Sequence, residues 1–232
     1  GPAGGEDGAS VPPGPIAAVL SETEPEPAGA DVAGSGREAG AAAGGEGAPA
    51  PAARPSAPLE PALYEAARNG RVERALELLE QGADPHALPP PEARDQRSLA
   101  ALAAVLPDLR LLRALIGRGV DLNLAHAGLS PLLAATRDSW HGRPDAVTTL
   151  LANGADPRAT DGEGNTPLHF ASRSSDPGVA ALLLDAAAEL EATNEDGWTP
   201  LGIACAAGNW RLARFLLERG ARAEPEGGQP AL

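Results

Sequence analysis

The chain has no lysine, no methionine and one cysteine in 232 residues, and aromatic side chains make up 3% of it. One cysteine excludes an internal disulfide and any cysteine-cluster metal site. Cys205 lies among small apolar residues and reads as a packing group. The absence of methionine implies that the chain does not begin at a natural translation start, so targeting information could precede Gly1. No apolar run is long enough to span a bilayer; the one apolar spot before residue 59, Ile16 to Leu20, is either a short docking motif or chance in an alanine-rich stretch. Basic residues are scarce: 18 against 32 acidic ones, for a formal net charge of -14. That balance argues against nucleic-acid binding, which needs a basic patch to displace counterions from phosphate. A partner with a basic patch fits better. All the basic residues are arginine, which together with the surplus of Ala, Gly and Pro looks like the bias of a GC-rich gene.

Composition divides the chain. Ala, Gly and Pro account for 38 of residues 1–58, and such a segment cannot offset its ordering entropy by burial. It is expected to be a disordered acidic tail or linker. From residue 59 the pattern changes. Gly164-Asn165-Thr166-Pro167-Leu168-His169-Phe170-Ala171 is followed 33 residues later by Gly197-Trp198-Thr199-Pro200-Leu201-Gly202-Ile203-Ala204. Thr followed by Pro is a helix start: the hydroxyl accepts a first-turn N–H, and proline at the first helical position forfeits a donor that had no partner. Ser130-Pro131 repeats the device. Small residues follow at Ala66-Ala67, Ala103-Ala104, Ala134-Ala135 and Ala171-Ser172. A second stretch with leucines at helical spacing comes next, as in Leu76 to Leu79, Leu111 to Ile116 and Leu212 to Leu217. Glycine at Gly82, Gly119, Gly154 and Gly220 then stops that helix in the left-handed conformation.

These strings resemble ankyrin repeats over roughly Pro61 to Glu224. The periodicity by itself predicts five helix-turn-helix units, none able to bury its own apolar faces, so stacking must supply the core. The expected fold is an all-α solenoid of stacked repeats joined by extended β-hairpin-like loops. The repeats lie near 61–88, 97–124, 129–158, 165–192 and 198–224, within a domain of residues 59–224. Residues 225–232 read as a loop entering a further repeat. The fifth unit, with Ile203, Trp210, Leu212, Phe215 and Leu216, lacks the polar outer face that Glu65, Arg71, Glu73, Arg74 and Glu77 give the first.

The departures from the period fall in loops. A triple proline, Pro89 to Pro91, stiffens the connection between the first two repeats; it serves either as a ligand for an aromatic groove or as a tolerated insertion. Extra residues in the third repeat lie around Arg137 to Gly142, where Trp140 is either an exposed anchor or a plug over the longer turn. The second repeat, with Pro107 between its helices, is the most degenerate. His169 alone occupies the histidine position of the resembled family, whose histidine generally hydrogen-bonds loop backbone between neighbours; Tyr64, Ala101, Leu133 and Gly202 stand at the matching places. Asp161 to Asn165 resembles a fragment of a calcium loop but lacks the later glutamate, and turn chemistry explains it better.

Nothing catalytic emerges: there is no phosphate-cradling glycine loop and no nucleophile with a flanking elbow. No cofactor or metal is expected. The resemblance implies a non-catalytic protein-interaction module that binds through loop tips and the concave face of the first helices, working as a monomer. The matching positions before each helix start, Arg97, Leu129, Asn165 and Trp198, are expected to be exposed. Arg173 joins them from a first helix, Arg158, Asn194 and Glu195 from the tips, and Trp140 from the insertion. Trp198 reads as a binding anchor or as packing across the adjacent loop. The alternative is a regulatory or targeting portion of a larger enzyme or membrane protein. A cytoplasmic setting is favoured, with a membrane-tethered or envelope location following if a targeting sequence precedes Gly1.

Overall fold

The computed structural model describes residues 58–138, 143–174 and 176–224. The tail expectation, the loop at 225–232 and Trp140 lie outside the described residues. Among the described residues ten helices follow one another in pairs: α1 (Leu59–Arg68) and α2 (Val72–Glu80), α3 (Leu99–Val105) and α4 (Arg110–Gly117), α5 (Pro131–Arg137) and α6 (Pro144–Ala152), α7 (Pro167–Ala171) and α8 (Gly178–Asp185), α9 (Pro200–Ala206) and α10 (Trp210–Glu218). Each odd-numbered helix packs on the next odd-numbered one, α1 on α3 through α7 on α9, and α2 meets α4 as α6 meets α8. Ankyrin-type solenoid stacking therefore holds, and the degenerate second unit is a full helix pair.

The starts and stops are local chemistry. The hydroxyls of Ser98, Ser130, Thr166 and Thr199 accept the backbone N–H three residues on, from Ala101, Leu133, His169 and Gly202, satisfying donors that the first helical turn leaves without partners. The second helices end where Gly82, Gly119, Gly154 and Gly220 turn left-handed, with φ of 96°, 76°, 88° and 98°. In the fourth repeat that place is held by Ala187, at φ 66°.

Small residues set the spacing of the odd-numbered helices. Ala66, Ala67, Ala103, Ala104, Ala135, Ala171 and Ala204 are all buried, so neighbouring backbones approach closely. The even-numbered helices bring the leucines, among them Leu78, Leu111, Leu112, Leu115, Leu150, Leu183, Leu212 and Leu216, into one continuous core. A fully buried leucine contributes roughly 1.5–3 kcal/mol over an exposed one. That burial corrects the reading of the last unit. Leu212 and Leu216 belong to the core; the apolar groups left outside are Trp210, 64% exposed, and Leu217. With Leu201, Cys205 and Ala213 they border a recess of about 220 Å³. Burial pushes the Cys205 thiol up in pKa, in keeping with a packing group rather than a reactive one.

No named strand occurs among the described residues, but the loops turn back as hairpins. Asp161 N–H donates to the Asn165 carbonyl and Asn194 N–H to the Trp198 carbonyl, each at 3.1 Å. His126 and Leu129 form an isolated antiparallel bridge. Adjacent loops touch as well: Glu195 N–H donates to the Glu163 carbonyl at 3.0 Å. The approach needs Gly164, since a Cβ there would lie 3.1 Å from the Glu195 nitrogen, on a backbone already at φ 75°.

Candidate interaction surface

The loops preceding the odd-numbered helices, and the ends of those helices, are fixed by bridges whose chemistry changes along the stack. His169 is buried and completes a capping box: Thr166 N–H donates to its Nδ1 at 3.0 Å, and its own backbone N–H donates to the Thr166 hydroxyl. Because Nδ1 accepts from a backbone donor, the proton sits on Nε2, which donates to the Trp198 carbonyl at 2.9 Å. Burial lowers the pKa of this imidazole despite those bonds, so the neutral tautomer is the one the junction holds. In the first repeat Tyr64 does the equivalent work, its hydroxyl donating to the Asp95 carbonyl. Burial, and then the nearby Asp95 carboxylate, raise its pKa.

Where neither His nor Tyr is present the bridge is apolar. Ala101 and Leu133 stand at the histidine place of the second and third repeats, and with Leu129, Ala134 and Phe170 they form a second small buried cluster. This corrects the expectation that Leu129 is exposed: it is 3% exposed because it is the plug that holds its loop to the helices. Asn165 is corrected in the same way. It too is 3% exposed, its amide nitrogen donating to the carboxylates of Asp161 and Glu163 at 3.2 and 3.3 Å while its oxygen accepts from Asn194 Nδ2 at 2.9 Å. A buried amide needs this many partners to offset its desolvation. Asn123 makes a similar rung one junction earlier, donating to the Gly154 carbonyl and accepting from Asp156 N–H. Asp161 Oδ1 accepts the N–H groups of Glu163 and Asn165 at 2.9 and 2.8 Å, so the calcium-like fragment is occupied with turn chemistry.

The remaining expected contact residues separate. Arg158 is exposed, yet its guanidinium is tied to the Ala187 carbonyl at 3.1 Å. Glu195 is exposed on its tip. Neither borders the groove formed by Arg173, Asn194 and Trp198. Arg173, Asn194 and Trp198 do meet: with Asp196, Ile203 and Asn209 they line a groove of about 420 Å³ between the fourth and fifth repeats. Trp198 is half-buried. Its ring lies so close over Gly202 that a Cβ there would be 2.9 Å from Trp198 Cε3, and its backbone N–H donates to Asn194 Oδ1 at 2.8 Å. Arg173 remains exposed, with its guanidinium 5.8 Å from the Phe170 ring centroid.

Arg97 lies elsewhere, half-buried and clamped between the carboxylates of Asp95 at 2.7 Å and Asp138 at 3.1 Å. The Arg97 bonds hold the Asp95 carboxyl below the ordinary carboxylate range. Arg97 and Leu129 border a second concavity, of about 490 Å³, between the first and third repeats. Sequence reading missed Tyr64, Asn123, Gly202 and Arg94 as contributors to this face. Gly202 could have been found, since a glycine four residues after a tryptophan on a helix start leaves that ring a place to lie.

Among the described residues no helix is long and apolar enough to cross a membrane. A family profile described as "Ankyrin repeats (3 copies)" matches residues 98–193 and 137–226, more than half of the chain. Protein PhlB of Serratia liquefaciens is 40% identical over 98 residues, which are 41% of this chain and 40% of PhlB. The E3 ubiquitin-protein ligase KEG of Arabidopsis thaliana is 36% identical over 111 residues, 47% of this chain and 7% of that protein. Neurogenic locus notch homolog protein 1 of Danio rerio is 35% identical over 128 residues, 53% of this chain and 5% of that protein. The chain thus spans less than half the length of each of these relatives. Repeat period, capping, helix pairing and family profile agree, and the chain belongs to the ankyrin-repeat family.

Proposed function

We propose that this chain binds a partner protein without catalysis, through the groove shared by its fourth and fifth repeats. Ankyrin repeats are generally protein-interaction modules, and the family is generally non-catalytic. The observation that carries the reading is the meeting of a half-exposed tryptophan, an exposed arginine and an amide around one groove of about 420 Å³. Trp and Arg are enriched among the residues that dominate protein interfaces, Trp because it covers much area with little entropy to lose and Arg because its planar fork makes several directed hydrogen bonds. Asn194 and Trp198 are held in place by the junction bridges, which lowers the ordering cost of binding. The formal charge of -14 favours a partner that presents a basic patch near this groove.

Arg173→Glu is the discriminating variant, since Arg173 is exposed and its change leaves the core alone. Capture from the source cell by wild type and by Arg173→Glu, quantified side by side, is expected to show a partner that the variant loses while its melting curve is unchanged. Trp198→Ala should lose the same partner, with affinity lowered by about 2 kcal/mol or more. Identical captured sets from all three proteins would sink the groove. A second reading, a regulatory or targeting portion of a larger enzyme or membrane protein, draws support from the small share of KEG and of the notch homologue that the chain matches. The full reading frame from the source genome tests it directly.

A further inference from the structure

The concavity between the first and third repeats has the opposite charge to the molecule. Four guanidiniums line it, those of Arg68, Arg94, Arg97 and Arg137, against the single carboxylate of Asp95. Asp138 adds one more negative charge at the edge, shared between Arg97 and Arg137, and the exposed Glu65 lies 3.6 Å from Arg68. The local balance remains positive in a chain whose net charge is -14. Arg68 and Arg137 sit in the last turns of α1 and α5, where a cation is favoured by the helix dipole. That accounts for their presence at those ends but not for their convergence on one opening with the loop arginines.

The loop that carries Arg94 and Arg97 is built rather than loose. Gln96 Nε2 donates to the carbonyls of Ala93 and Pro90 at 2.7 and 3.1 Å, Tyr64 anchors the Asp95 carbonyl, and the Asp95 carboxylate is engaged bidentately by Arg97. Arg94, in the same loop, is exposed and makes no hydrogen bond or ion pair among the described residues. His126 also borders the opening.

We propose that this concavity is a second recognition site, taking an acidic peptide segment of a partner protein whose carboxylates pair with Arg94, Arg68 and Arg137. It rests on the reading of the chain as a protein-binding module and does not involve the Trp198 groove. Carboxylates are the favoured anion because the site already holds two of them against guanidiniums, Asp95 in the fork of Arg97 and Asp138 by single contacts from Arg97 and Arg137, with N–O distances of 2.7 to 3.1 Å. A polyanion such as nucleic acid is disfavoured, since it would bring a long run of negative charge against an acidic molecule, whereas a short acidic segment engages only the local positive field. The acidic surroundings also give the site its selectivity: a segment with carboxylates beyond the span of the pocket is repelled.

The test is fluorescence anisotropy on the full chain with a labelled six-residue peptide of alternating Glu and Ser, short enough to keep its carboxylates over the opening, and its Gln-for-Glu counterpart. The Glu peptide is expected to bind at least about tenfold more tightly than the Gln peptide, with the difference shrinking as salt rises from about 50 to 200 mM. Arg94→Gln combined with Arg68→Gln should weaken the Glu peptide at least about tenfold with an unchanged melting curve, while Trp198→Ala leaves it unaffected. Equal affinity for the two peptides, or full affinity in the double variant, overturns the proposal. So does tighter binding of inorganic phosphate or of a single-stranded DNA dodecamer at these arginines. Loss of peptide binding in Trp198→Ala alone would likewise overturn it, by placing the segment in the other groove.

Discussion

At residue 202 the lack of a side chain decides where Trp198 lies. An alanine Cβ would come within 2.9 Å of Cε3 and 3.4 Å of Cζ3 of the indole, and those atoms belong to a rigid ring, so the whole ring must move. Alanine is otherwise the better helix former, by about 1 kcal/mol. Gly202→Ala is therefore expected to leave the melting temperature within a few degrees of wild type while pushing Trp198 out of its seat. With Trp140 and Trp210 replaced by Phe, so that Trp198 is the sole emitter, the emission maximum should move to the red. An unmoved maximum would show that the ring is not held by the missing side chain. The same variant should weaken partner capture at the fourth–fifth repeat groove without touching Arg173.

At the scale of elements, the informative comparison is among the five ends of the second helices. Four are stopped by glycine at positive φ, but the fourth repeat places Ala187 there at φ 66°. A left-handed conformation costs a residue with a Cβ roughly 1–2 kcal/mol, and a glycine returns part of that through its greater freedom when unfolded. Ala187→Gly should stabilise the chain by about 0.5–1 kcal/mol, read as a higher denaturant midpoint with unchanged slope. Its carbonyl bond from Arg158 and its N–H bond to Leu184 are backbone interactions on the Ala187 side and survive the change. A lower midpoint would mean that the Ala187 methyl group contributes packing that outweighs the strain. Helix starts, stops and stripes were legible in the sequence because each is set by residues within about one turn, such as Thr166 with His169 or Gly154 with Leu151. The loop face was legible only in part. Trp198, Arg173 and Asn194 line one groove, whereas Leu129 and Asn165 are buried in part by partners from neighbouring repeats, the cluster that includes Phe170 for one and Asn194 for the other. No local pattern encodes those contacts between repeats. The charge reversal around Arg94 is equally invisible in a summed charge, since it depends on which arginines the fold brings together.

For the stack as a whole, the junctions are chemically unequal, and this makes its stability unevenly sensitive to acid. Tyr64 joins the first two repeats, an apolar cluster joins the second, third and fourth, and a neutral histidine joins the fourth to the fifth. His169 has its folded pKa lowered by burial, with the Asp161 carboxylate opposing and Arg173 assisting from the surroundings, against about 6.5 in the unfolded chain. Above about 6.5 both states are neutral and the junction contributes fully. As pH falls below that value the unfolded chain takes up a proton that the folded chain refuses, so stability declines until the lower folded value is reached, by at most about 1.4 kcal/mol per pH unit for one group. Tyr64 stays protonated throughout this range, and the apolar cluster does not titrate. In a solenoid whose stability is a sum over neighbours, the loss should begin locally. Hydrogen exchange at pH 7.5 and 5.5, corrected for intrinsic rates and kept above the range where carboxylates titrate, should show protection falling in α9 and α10 before α1 to α4. His169→Gln should be less stable at pH 7.5 yet lose this pH-dependent difference. Uniform loss along the chain, or a C-terminal loss that persists in His169→Gln, would show that the imidazole is not the acid-sensitive joint.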